Sequence, residues 1–181
     1  MQVFKFGGAS VKSAENIRNV ATIIDTYKVN GLSVVVSAIG KTTNKLSEAV
    51  DRYFHREGDA FEALEQVRTE HLTILHELFT DKNHPIFDDV INTLVEAEWI
   101  LEEEPQDAYD YFYDQIVSLG EILSTTIIAA YCHLVGFFVR FVDARDFIFT
   151  DNRYMECAVD EAQTEASLRR VMSPMFGKEV I

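Results

Sequence analysis

The sequence predicts an α/β fold with a mainly parallel sheet and a large helical excursion, and three observations predict it. Residues 2–6 (QVFKF) and 32–38 (LSVVVSA) are short apolar runs separated by a helical pattern, which makes the first forty residues a βαβ unit. Strand character returns at FFVRFV (137–142) and starts again at the closing EVI. Between about 42 and 134 nearly every segment reads as helix.

Each element has its own warrant. Gly7-Gly8 ends the first strand, and Ser13 caps a helix in which Ile17, Val20, Ala21, Ile24 and Tyr27 recur at helical spacing. Asn30-Gly31 stops that helix. The run 32–38 is β-branched and apolar on both faces, the pattern of a strand buried in a parallel sheet. Helices follow at about 42–55, 58–80 and 86–103, punctuated by Pro85 and Pro105. Another covers 107–134, with room for a break, and ends before Gly136. A last helix is predicted over 159–172.

Composition bounds the classes of function. At 181 residues the chain suits one domain, which buries roughly 70% of its unfolded surface. The two cysteines, Cys132 and Cys157, lie far apart, so neither a disulfide framework nor a thiolate metal site is expected, and a reducing cytoplasm is the expected setting. No signal-peptide pattern opens the chain, and the apolar stretch 127–139 is too short to span a bilayer, so no membrane partner is expected. The net charge of −14 argues against a nucleic-acid partner. That charge is unevenly spread: residues 1–56 carry a net +4 and the remainder −18. An anionic ligand is drawn to the first segment, although acidic solvated helices after residue 56 would give the same asymmetry.

Three stretches carry candidate chemistry. In KFGG, glycines let the main chain approach a ligand's oxygens, and Lys5 needs either an anion or a route to solvent; a phosphate corner and a plain glycine turn both satisfy this. GKT (40–42) is not a P-loop, because the leading glycine position holds Val35. A strand entering a glycine turn and then a helix nevertheless offers backbone N–H groups to an anion, with Lys41, Thr42, Thr43 and Asn44 beside it. Glu121 lies at the edge of an apolar helical face, either solvated or facing a cleft where it would bind an ammonium group, with Gly120 permitting close approach. His71 and His76 form no zinc motif, and no nucleophile–base arrangement is assembled by spacing.

Taken together, KFGGASV, VVVSAIGKTTNKL, SLGEILST and DARDFIFTDNR resemble, in order and spacing, the N-terminal half of aspartokinases, members of the amino-acid kinase family. The resemblance covers essentially the whole chain. It implies a three-layer sandwich with a mainly parallel sheet, truncated, in which residues 1–181 form the N-terminal part of the catalytic domain. It also implies phosphorylation of the side-chain carboxylate of L-aspartate by Mg2+ and ATP, leading to lysine, threonine and methionine. By motif, Lys5, Gly7 and Gly8 match the ATP-phosphate site with Ser10 nearby, Lys5 as the catalytic cation, and Thr43 and Glu121 match the aspartate-binding positions. No metal ligand is assigned among these residues.

The resemblance has departures. Ala9 stands where the usual motif has Thr, and Phe149 where many relatives have Lys or Arg. The family's Gly-Arg-Gly-Gly-Ser-Asp segment, nucleotide-base site and ACT regulatory domains would follow residue 181, so this chain alone is expected to show little or no kinase activity. Alternatives are another amino-acid kinase acting on glutamate or acetylglutamate, the kinase part of a bifunctional aspartokinase–homoserine dehydrogenase, and a non-catalytic truncated domain that binds ligand weakly. The resemblance also admits a homodimer.

Overall fold

Two parallel strands and seven α-helices organise the structure, a computed structural model that describes residues 2–28, 31–175 and 180–181. Strand β1 (Gln2–Phe6) pairs with β2 (Leu32–Val36), setting Lys5 opposite Val35. Helix α1 (Ala14–Tyr27) connects them, and the Ser13 hydroxyl caps it by accepting the Asn16 N–H. Gly31 takes a φ of +68°, as a chain reversal there requires; Asn30, its expected companion, lies outside the described residues.

The sheet extends on the far side of β2. Ile181 donates to the Leu32 carbonyl at 3.0 Å and accepts from the Val34 N–H at 2.6 Å. Val180 then bridges Val139 in parallel, with the Arg140 N–H on the Val180 carbonyl at 2.8 Å. The strand expected at EVI is carried by Val180 and Ile181, while Glu179 lies outside the described residues. FFVRFV contributes one parallel bridge rather than a six-residue strand, because its described partner is only two residues long.

The two faces of this sheet differ. Phe4 rests on Tyr27 of α1 with ring centroids 5.1 Å apart, and Leu32 and Val36 are buried, so the even-numbered residues face the helices. The odd-numbered face carries Val3, Val35 and Lys5, with Val35 50% exposed. The run 32–38, expected to be buried on both faces, is therefore buried on one among the described residues. This resolves the cation in β1: Lys5 stands on the open face near the strand's end.

Five further helices form most of the core: α2 (Thr42–His55), α3 (Ala60–Leu78), α4 (Ile86–Glu102), α5 (Tyr109–Val117) and α6 (Leu119–Leu134). Asp59 caps α3 by accepting the Phe61 N–H, and Arg56 ends α2 in the left-handed region. The expected break falls at Ser118. By length and composition 109–134 could cross a membrane, yet more than half of its most apolar window is buried here. Leu46, Val67, Leu94, Ile116, Leu123 and Ile127 meet at its centre. Helix α7 (Glu161–Val171) is capped by Asp160 through the Gln163 N–H.

One buried histidine makes this layer sensitive to acid. His71 is fully buried in α3; its Nδ1 lies 2.8 Å from the Val67 carbonyl, whereas its buried Nε2 has no hydrogen-bond partner among the described residues. Burial holds the imidazole below its ordinary 6.5, opposed by the Val67 hydrogen bond and Glu70, and assisted by Lys45. Above pH 6.5 both folded and unfolded states are neutral and the site contributes no pH dependence. Below it the unfolded chain takes up a proton that the folded chain refuses, so stability falls as pH drops through 6.5. Denaturant unfolding at pH 7.5 and 5.5 is expected to show a loss of about 1 kcal/mol that a His71→Leu variant lacks.

Candidate functional site

The site is a corner where two glycine turns meet. β1 runs into Gly7 and then a short 3-10 turn (Gly8–Val11), while β2 runs through Ser37–Gly40 into α2. The Gly40 N–H donates to the Gly8 carbonyl at 3.1 Å, locking the turns together. A Cβ on Gly8 would lie 2.7 Å from the Ala38 carbonyl oxygen and 3.0 Å from that of Gly40, so only glycine permits this approach. Gly40 itself takes a φ of +54°.

Lys5 closes one side. Its Nζ lies 3.9 Å from where a Gly7 Cβ would be, which brings the ammonium back over the first turn. Ser10 is exposed on the 3-10 turn, its N–H on the Gly7 carbonyl at 2.8 Å; Ala9 beside it is also exposed. The second turn is tightened by Thr42, whose buried hydroxyl donates to the Ile39 carbonyl at 2.7 Å. Thr43, half-buried, follows in the first turn of α2, whose N-terminus has no side-chain cap.

Helix α6 supplies the acid. A Cβ on Gly120 would sit 3.0 Å from that of Ala38 and 3.4 Å from Leu46 and Thr42 side-chain atoms, so the start of α6 packs directly on the second turn. The exposed Glu121 then accepts the Ala38 N–H through Oε1 at 3.3 Å. A mostly apolar cavity of about 510 Å3 opens beside it, walled by residues including Val36, Thr125, Cys132, Phe141 and Arg145. On that wall Asp143 caps the turn Ala144–Asp146. Burial alone would raise its carboxyl, but the Arg145 guanidinium and backbone N–H hold it below the ordinary range. Phe149 is partly exposed and donates its N–H to Thr164.

All six residues singled out in the sequence thus occupy the two turns or the groups packed on them. An anion suits the Lys5 side, and an ammonium suits Glu121. Sequence reasoning missed the Gly8–Gly40 contact, the Ala38 amide and Lys12, whose Cβ lies 3.7 Å from where one on Gly40 would be. The signal for Lys12 was present in the positive first segment. Among the described residues no three His, Cys, Asp or Glu side chains are grouped to hold a metal ion.

Comparisons with known proteins follow the same outline. The model of the amino acid kinase family matches residues 1–177. Aspartokinase 1, chloroplastic, of Arabidopsis thaliana is 34% identical over 156 residues, 83% of this chain and 27% of the relative. The aspartokinase of Chlamydia trachomatis is 31% identical over 162 residues, 88% of this chain and 34% of the relative. The chain thus spans about a third of the length of such curated relatives. Among solved structures, Escherichia coli aspartokinase III in complex with aspartate and ADP superposes with a TM-score of 0.88 at 24% identity, over all of this chain and 40% of that one. That likeness speaks for the fold.

Proposed function

Because this chain belongs to the amino acid kinase family, we propose that it forms the N-terminal part of an aspartokinase catalytic domain. Its corner then serves the ATP-dependent phosphorylation of L-aspartate to 4-phospho-L-aspartate. The observation that carries this reading is the pair of bonded turns with Lys5 over one and Glu121 on the other. In this reading the cation serves a phosphate and the acid serves an amino group.

The chemistry asks little else of side chains. The aspartate carboxylate, with a reference pKa of about 3.9, is ionised at neutral pH and needs no general base. Its oxygen attacks the terminal phosphorus, the bond to the bridging oxygen breaks, and ADP leaves with that electron pair. The obstacle is repulsion between anions, met by the Lys5 ammonium and the backbone N–H groups of the turns. Glu121 binds the substrate ammonium, and Thr43 in the first turn of α2 is the second group proposed to hold aspartate. The described residues offer no cage for Mg2+; such an ion commonly rides on nucleotide phosphates, and no step here is assigned to it.

Calorimetric titration with ATP and with L-aspartate tests the reading on this chain, and failure to bind either ligand overturns it. Coupled ADP release determines whether the chain turns over alone. Glu121→Ala is expected to weaken aspartate binding by about tenfold or more, the value of a hydrogen bond to a charged group, and to leave ATP affinity unchanged. Unaltered aspartate affinity removes Glu121 from the site.

A further inference from the structure

We propose that Lys12 and Lys41 act with Lys5 as a three-cation grip for a polyphosphate, extending the anion side of the corner beyond the single lysine assigned to it. This rests on the kinase reading and adds to it the residues that hold the nucleotide's phosphates. The argument begins with an imbalance. The protein has 30 acidic residues and 16 Lys and Arg, so carboxylate partners are abundant. Most cations elsewhere find them, among them Lys28 on Asp25, Lys45 on Glu70, Arg52 on Glu48 and Glu62, Arg56 on Glu104, and Arg68 on Glu65 and Glu98. Lys5, Lys12 and Lys41 form no ion pair among the described residues.

These three share one place. Lys5 Nζ lies over Gly7, Lys12 flanks Gly40, and Lys41 follows Gly40 at the uncapped N-terminus of α2. Among the described residues Arg18, Lys82 and Arg170 also lack an ion pair, but Arg18 donates to the Glu77 backbone carbonyl, and Lys82 and Arg170 sit apart, in the α3–α4 connection and at the end of α7. Three lysines rooted on two facing turns concentrate positive charge there, and an anion bound among them would neutralise it. Charge density selects the ligand: a chain of phosphates engages several cations together, whereas a single carboxylate does not.

Inorganic triphosphate, titrated calorimetrically into the full chain at two salt concentrations, is the probe. The parent is expected to bind triphosphate more tightly than orthophosphate. Lys12→Gln and Lys41→Gln should each weaken triphosphate about threefold to tenfold, the range for exposed or charge-assisted pairs, with a shallower salt dependence. Lys82→Gln, with the same change in net charge, should stay within about twofold. L-Aspartate affinity should not move. Both lysines are exposed, and thermal melts verify that the variants fold. Loss no greater than in Lys82→Gln, or aspartate affinity falling in step, overturns the grip. Triphosphate binding lost in Lys5→Ala but kept in the Lys12 and Lys41 variants leaves the kinase reading standing without this extension. Lysine-dependent triphosphate binding without aspartate binding removes the aspartate assignment and keeps the grip. A parent that binds no triphosphate removes it.

Discussion

Lys5→Ala is expected to cost this chain its ATP affinity by a factor of about 10 to 100, while its unfolding free energy stays within about 0.5 kcal/mol of the parent. The two halves follow from one environment. Lys5 is exposed on the open face of β1 and forms no ion pair among the described residues, so the fold loses little when it goes. Its Nζ is nevertheless held over Gly7, where a phosphate would approach the turn amides. If turnover is measurable, it should fall by about a hundredfold or more, because the same ammonium faces the charge that develops on the transferring phosphoryl group. Calorimetry with ATP beside denaturant unfolding checks both halves. Intact affinity, or a large loss of stability, contradicts the assignment.

Gly8→Ala should produce the opposite signature. Its new methyl would meet two backbone carbonyl oxygens, at 2.7 and 3.0 Å, and main chain yields less readily than a side-chain tip. The turns must part, straining or breaking the Gly40–Gly8 hydrogen bond, at an expected cost of about 1–3 kcal/mol. Gly7→Ala is the matched control. The same methyl there meets only the Lys5 ammonium at 3.9 Å, on a backbone with φ of −79°, so stability should hardly change. Parallel melts of the two variants decide the matter. Equal stabilities would mean that the contact between the turns does not hold the corner together.

Much of this was legible in the sequence, for identifiable reasons. Helix boundaries followed from local signals: Ser13 as a cap, the glycine turn before Thr42, and Pro85 and Pro105 as punctuation, while the break expected within 107–134 took its place, Ser118, only in the structure. The candidate residues stood out in the sequence because two glycines end an apolar run that carries a lysine, and an acid lies at the edge of an apolar helical face. What stayed hidden was non-local. Apolar alternation in LSVVVSA cannot tell which face is covered, and Val35 proved half exposed because the described helices pack on the opposite side. FFVRFV has strand propensity, but a strand needs a partner of equal length. The Gly8–Gly40 and Ala38–Glu121 hydrogen bonds join residues 32 and 83 positions apart, and no local pattern encodes such pairs.

That last separation bears on the order in which the molecule comes into being. A growing chain presents Lys5, both glycine turns and Lys41 before any of helices α2–α6. The acid on the other side of the corner arrives 83 positions after the amide it accepts, on the far side of four helices. Contacts of such long range form only after the intervening chain has collapsed, because closing that loop is entropically unfavourable until packing compensates. During synthesis the cationic half therefore exists first, exposed and without its acid. On the reading proposed above, recognition of a zwitterionic ligand would mature late, as a by-product of the helical layer folding behind it.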